Sequence, residues 1–151
     1  MLRPIAKLTL ISSAALVLAG CETVAEPAAR AVGTTYTASL TGAAEAPTPG
    51  DPNGSGRADI SIVDEVVDQV CYEMAVTGIA PATAAHIHAG AAGVAGPPVI
   101  TLEAPTDGEV SGCTSASDSL LDAIKANPAG YYVNVHNAEY PSGAIRGQLR
   151  R

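Results

Sequence analysis

Residues 57–77 read RADISIVDEVVDQVCYEMAVT, and this stretch decides the fold. In Arg57–Val63, Ala58, Ile60 and Ile62 alternate with Arg57, Asp59 and Ser61. Side chains of an extended strand point to opposite faces in turn, so a period of two describes a strand with one apolar face. Asp64-Glu65 supplies a turn. Val66–Thr77 then resumes the pattern: Val66, Val70, Tyr72, Met74 and Val76 share one parity, with Asp68 as the exception. Two such arms around a polar turn form a hairpin.

The same signal recurs on both sides of the hairpin. Thr35–Leu40 alternates and is followed by a loop, Thr41–Ser55, that holds three Pro and three Gly. Downstream, Ala84–Ala89, Val99–Leu102, Glu109–Gly112, Tyr131–His136 and Ala144–Leu149 read as short strands. Gly90–Pro98 and Tyr140-Pro141-Ser142-Gly143 are the clearest loop and turn among them. Ser117–Ala126 is the one helical stretch: Leu120, Leu121 and Ile124 form its apolar stripe, Ser117 or Asp118 can cap it, and Asn127-Pro128 stops it. Many short strands with a single short helix near 117–126 predict an all-β, antiparallel β-sandwich. The chain has no Phe and no Trp, so its core is built from Val, Ile, Leu, Ala and some of its five Tyr. Such a core buries little area per residue, and extra bracing helps.

The N-terminus carries Arg3 and Lys7, an uncharged run from Leu8 to Leu18, and then Leu18-Ala19-Gly20-Cys21. A charged start, a short apolar region and small residues before a cut site describe a secretory signal, too short to span a membrane comfortably. Leu18–Cys21 resembles the lipobox of bacterial lipoproteins. That resemblance implies cleavage before Cys21 and acylation of its thiol. The expected organisation is a signal over 1–20, a flexible tether over 21–34 with lipidated Cys21, and one domain over 35–149. Glu22 rather than Asp follows the cysteine, which by the same resemblance implies an outer-membrane lipoprotein facing the periplasm or the cell exterior.

Loss of the signal removes two of the eight Lys and Arg and none of the 15 Asp and Glu, which moves the formal charge from −7 to −9. An acidic chain without a basic patch gains nothing from phosphates, so nucleic acid is not an expected partner. With Cys21 lipidated, Cys71 and Cys113 remain, and in an oxidising compartment two such cysteines pair. The loop they would close is worth about 3–4 kcal/mol in the chain-entropy account.

Only three histidines are present, His86, His88 and His136. His86 and His88 are spaced i, i+2 and project from the same strand face, with Ile87 on the other. In Tyr131–His136, Val133 and Val135 share one parity, Asn134 and His136 the other. If the two strands are neighbours, three imidazoles converge into a site usable by copper, or less readily by zinc. Arg146 alternates with Ile145 and points away from the core. It could hold an anion beside the histidines, but a salt bridge to Glu139, Glu45 or Glu103 is the preferred reading. Glu45 could support a histidine as a hydrogen-bond partner, with Asn134 nearby.

Three ordered segments resemble the CHRD domain, a family named after repeats in chordin. They are Leu40–Pro47 (LTGAAEAP), His86–Gly90 (HIHAG) with Gly93, Gly96 and Pro97-Pro98 behind it, and Tyr132–Asn137 (YVNVHN) with Pro141–Leu149 (PSGAIRGQL). The resemblance covers about residues 35–149 and implies an immunoglobulin-like sandwich outside the cytoplasm, with no reaction attached. A weaker resemblance links the chain to copper–zinc superoxide dismutase, through H-x-H, a later Val-His, the turn Gly112–Ala116 and Gly143–Arg146. It implies copper on His86, His88 and His136 and an anion guided by Arg146. The fourth copper histidine and the zinc set are missing, and Gly147 stands where the dismutase carries a cysteine.

These readings favour a lipid-anchored envelope module without catalysis, binding a metal, a small ligand or a protein. A copper redox protein is the alternative. Few aromatic residues argue against stacking platforms for carbohydrate. A serine elbow, H-E-x-x-H and a P-loop are all absent from the sequence, which ranks hydrolysis last.

Overall fold

The computed structural model describes residues 33–64 and 67–151. The signal, Cys21, all but the end of the tether, and Glu65 and Val66 of the hairpin lie outside the described residues. Eight strands and one α-helix follow in order: β1 (Thr34–Thr41), β2 (Ser55–Val63), β3 (Gln69–Thr77), β4 (Ala82–Ala89), β5 (Pro98–Leu102), β6 (Glu109–Ser115), α1 (Asp118–Ala126), β7 (Tyr131–Asn137) and β8 (Ile145–Gln148). They form one antiparallel sheet in the order β5-β4-β7-β8-β1-β2-β3-β6. Its two halves fold over a common core, so the all-β architecture is a nearly barrel-like sandwich with one short helix.

The alternation read from the sequence is the alternation of the core. Ala58, Ile60 and Ile62 of β2 and Val70, Tyr72, Met74 and Val76 of β3 are buried. The two strands pair from Ser55↔Thr77 to Val63↔Gln69, the expected hairpin. The second arm begins at Gln69, so Asp68 lies outside the ladder rather than interrupting it. Leu121 and Ile124 seat the helix on the core, and Leu120 packs against it partly buried. Ser117 is the N-cap, but its hydroxyl bonds that of Ser119 instead of a backbone N–H. Lys125 reaches Asp64 and Asp122, tying the helix to the end of β2.

The outer strand β6 corrects one expectation. The sequence suggests a strand ending at Gly112 and a turn through Gly112–Ala116. The strand instead continues to Ser115, because Cys113, Thr114 and Ser115 stand opposite Cys71, Val70 and Gln69 and extend the ladder. Cys71 and Cys113 are directly cross-strand and joined by a disulfide. Tyr72 lies over Gly112 of the same pairing, and its hydroxyl accepts the Glu103 N–H at 3.0 Å across the seam between the sheet's two edges.

The disulfide closes a loop with a sequence separation of 42. Cys71→Ser/Cys113→Ser is expected to lower the unfolding free energy by about 3–4 kcal/mol in the chain-entropy account. Urea titrations of wild type and double variant check this, and coincident midpoints would refute it.

Candidate metal centre

The core places the histidines. Ala85 and Ile87 of β4 are fully buried in it, which turns His86 and His88 to the opposite face. Val133 and Val135 do the same in β7, turning Tyr132, Asn134 and His136 outward. β4 and β7 are neighbours, with Ala84↔His136, His86↔Asn134 and His88↔Tyr132 in register. β8 adds Arg146 opposite Asn134 and Gln148 opposite Tyr132. The three imidazoles therefore meet on one face, and one nitrogen of each lies within 4.8 Å of the others.

That face is polar but not open. Arg146 is 1% exposed, Asn134 3%, His88 8% and His136 9%, while His86 is half-buried. Two loops cover it. The segment after β1 brings in Glu45, which accepts a hydrogen bond from Asn134 Nδ2 at 3.4 Å. The segment 90–97 lies over Arg146, whose guanidinium donates to Val94 O at 2.9 Å, Ala91 O at 2.8 Å and Gln148 Oε1 at 3.0 Å. Arg146 thus leaves the core as expected, but its donors go to carbonyls rather than to Glu139, Glu45 or Glu103. The same bonds leave it poorly placed to take up a free anion. Glu45 touches Asn134, not a histidine, so its expected support of an imidazole is not found.

Hydrogen bonds define the state of each ring. His88 Nδ1 lies 2.8 Å from Gly96 O, and His136 Nδ1 lies 3.1 Å from Pro141 O. A carbonyl only accepts, so both Nδ1 atoms carry the proton and both Nε2 atoms keep a lone pair. His88 Nε2 is buried without a hydrogen-bond partner. His136 Nε2 is 3.2 Å from His86 Nδ1, which donates to it in the metal-free protein and would give up that proton to a metal ion. Two ligands at about 2.0 Å from a tetrahedral ion are about 3.3 Å apart, so this pair already has the spacing of a coordination edge. Burial holds all three imidazoles below the ordinary histidine range; the neighbouring imidazoles add to this at His86 and His136, and the Arg146 charge adds at His88. Neutral rings are the form that binds metal. A second group of carboxylates, Asp64, Asp118 and Asp122, already has the Lys125 ammonium on two of its members.

Tyr132 is the site residue that the sequence reading missed. Its ring stacks on His88, with centroids 4.9 Å apart, and the Arg146 guanidinium carbon sits 3.4 Å from its centroid. Its parity with Asn134 and His136 is the signal that could have found it.

An all-β domain with a loop-covered, histidine-bearing sheet face is the class that fold and site define. The family model for the CHRD domain matches residues 36–149, and the chain belongs to that family. No curated protein and no solved structure matches it significantly.

Desolvation raises the Glu45 carboxyl to about 7, against the lowering effects of Arg146, Asn134 and the Ala46 N–H. Its folded pKa exceeds the unfolded one, so the folded state binds more protons between about pH 4.5 and 7. The stability this contributes is full below pH 4.5 and lost as pH rises through 7. Glu45→Gln should remove that loss. Thermal midpoints of metal-free protein at pH 5 and 8 are expected to fall further for wild type than for the variant, and parallel falls would refute the assignment.

Proposed function

We propose that this CHRD-domain chain is a lipid-anchored binding module of the cell envelope that holds a transition-metal ion through His86, His88 and His136, and that it acts without turnover. The observation that carries the metal reading is the pre-set donor set: two Nε2 lone pairs fixed by backbone carbonyls, with a third imidazole at coordination spacing. Burial of an unpartnered His88 Nε2 is costly without an acceptor of its lone pair, and a metal ion supplies one. Three neutral imidazoles with no carboxylate or thiolate among them favour copper, with zinc next. The copper redox alternative uses the same ligands. It has less support, because Arg146 is committed to the 90–97 loop.

The envelope location rests on Leu18–Cys21 and is consistent with the Cys71–Cys113 disulfide, which belongs to an oxidising compartment. More than one acyl chain is needed for stable anchoring, and a mature lipoprotein carries two or three.

Full-length protein made in a bacterium with a periplasm, and extracted in detergent without chelators, is expected to contain near-stoichiometric copper or zinc by elemental analysis. His86→Ala/His88→Ala is expected to lose it. A wild-type protein that carries no metal and takes up none from added copper or zinc would end this reading. The anchor has its own test: Cys21→Ser should move the folded protein from the membrane fraction to the soluble one, and continued membrane retention would exclude lipidation at Cys21.

A further inference from the structure

We propose that Arg146 is a positioning residue for the histidine centre: by clipping the 90–97 loop, it holds the Gly96 carbonyl on His88 and so keeps the His88 Nε2 lone pair directed to the metal. The inference rests on the metal reading above and gives Arg146 a role other than guiding an anion.

The contacts form one connected chain. Arg146 donates to two carbonyls of the loop, Ala91 O and Val94 O, from a position almost fully buried. Its guanidinium carbon lies 3.4 Å from the centroid of the Tyr132 ring, on which His88 also stacks. The Tyr132 hydroxyl accepts the Gly96 N–H at 3.1 Å and lies 3.4 Å from Gly96 O. Gly96 O is in turn the acceptor of His88 Nδ1. Residue 96 is glycine because a Cβ there would stand 1.6 Å from Ala89 O. A planar fork that stacks on a ring and bonds two carbonyls is specific to arginine; an ammonium is a point donor on a flexible stem. If the loop is released, His88 loses the acceptor that holds its proton on Nδ1. The ring is then free to place the proton on Nε2, where it competes with the metal for that lone pair.

The test uses the full-length chain and two readouts. In metal-free protein at pH 8, imidazole nitrogen-15 NMR should show wild-type His88 protonated at Nδ1. Arg146→Gln should shift it toward the Nε2-protonated tautomer. With copper(II) added, Arg146→Gln is expected to lose affinity by about tenfold or more, the scale of removing a partner that orients a ligand. Its electron paramagnetic resonance spectrum should pass from three coupled nitrogens to two. Arg146→Lys should not restore either property.

A merely structural arginine would lower the thermal midpoint and leave both the tautomer and the nitrogen count unchanged; that result overturns the proposal. If Arg146→Gln does not fold, Arg146→Lys carries the same test, because it keeps the positive charge but loses the fork that bonds Ala91 O and Val94 O. The same two shifts are expected, and their absence overturns the proposal. The tautomer readout needs no metal. A wild-type protein that binds none would therefore defeat the function proposed above, while the NMR comparison still decides whether Arg146 sets His88.

Discussion

The close approach of β8 to β1 is the constraint on which the rest of this structure depends. Among the described residues it is the one ladder that joins the two halves of the sheet, through Thr41↔Arg146 and the bridge Thr37↔Arg150. Thr37 and Arg150 exchange two backbone hydrogen bonds of 2.7 and 2.8 Å. Between them Gly147 brings the chains so near that a Cβ would stand 2.3 Å from Ser39 O. Any side chain there would force β8 away from β1. Because β8 also pairs with β7, such a shift would reach Asn134 and the histidine strand beyond it.

The sheet uses its two faces differently. One is lined mostly by aliphatic side chains, with Tyr36 and Tyr72 among them, and forms the core. The other, over β4, β7 and β8, carries histidine, asparagine, arginine and tyrosine and is nevertheless closed. Polar side chains shut away from water need partners. Here most of them find backbone carbonyls, at Ala91, Val94 and Gly96 of the covering loop and at Pro141 of the turn between β7 and β8. Among the described residues, the buried side-chain atoms without a hydrogen-bond partner, Glu45 Oε1, Asn134 Oδ1 and His88 Nε2, all lie on this face. Free energy left unrecovered at one location marks it as a place where binding can be favourable.

Much of the fold was legible because burial imposes a period of two. Ala58, Ile60 and Ile62, or Val133 and Val135, declare their face by alternation alone, and the parity of His86, His88 and His136 followed from it. The neighbour relation of β4 and β7 was not legible, since no local pattern encodes which strands pair over long range. Alternation also equates the polar face with solvent, which misjudges Arg146: its burial comes from a Gly/Pro-rich loop without periodicity. Cys113 read as part of a turn because Gly-Cys-Thr resembles turn composition, whereas the ladder opposite β3 makes it strand. Tyr132 was passed over because an aromatic residue in a strand reads as core.

The covering loop at 90–97 engages the site through its main chain, while Ala91, Ala92, Val94 and Ala95 keep their side chains in solvent. Main-chain carbonyls are common to every residue type. The outer surface of this loop is therefore chemically uncoupled from the pocket beneath it. Its exposed positions can take on new character toward the surroundings while the inner arrangement stays the same, so one scaffold can carry a constant interior behind a variable exterior.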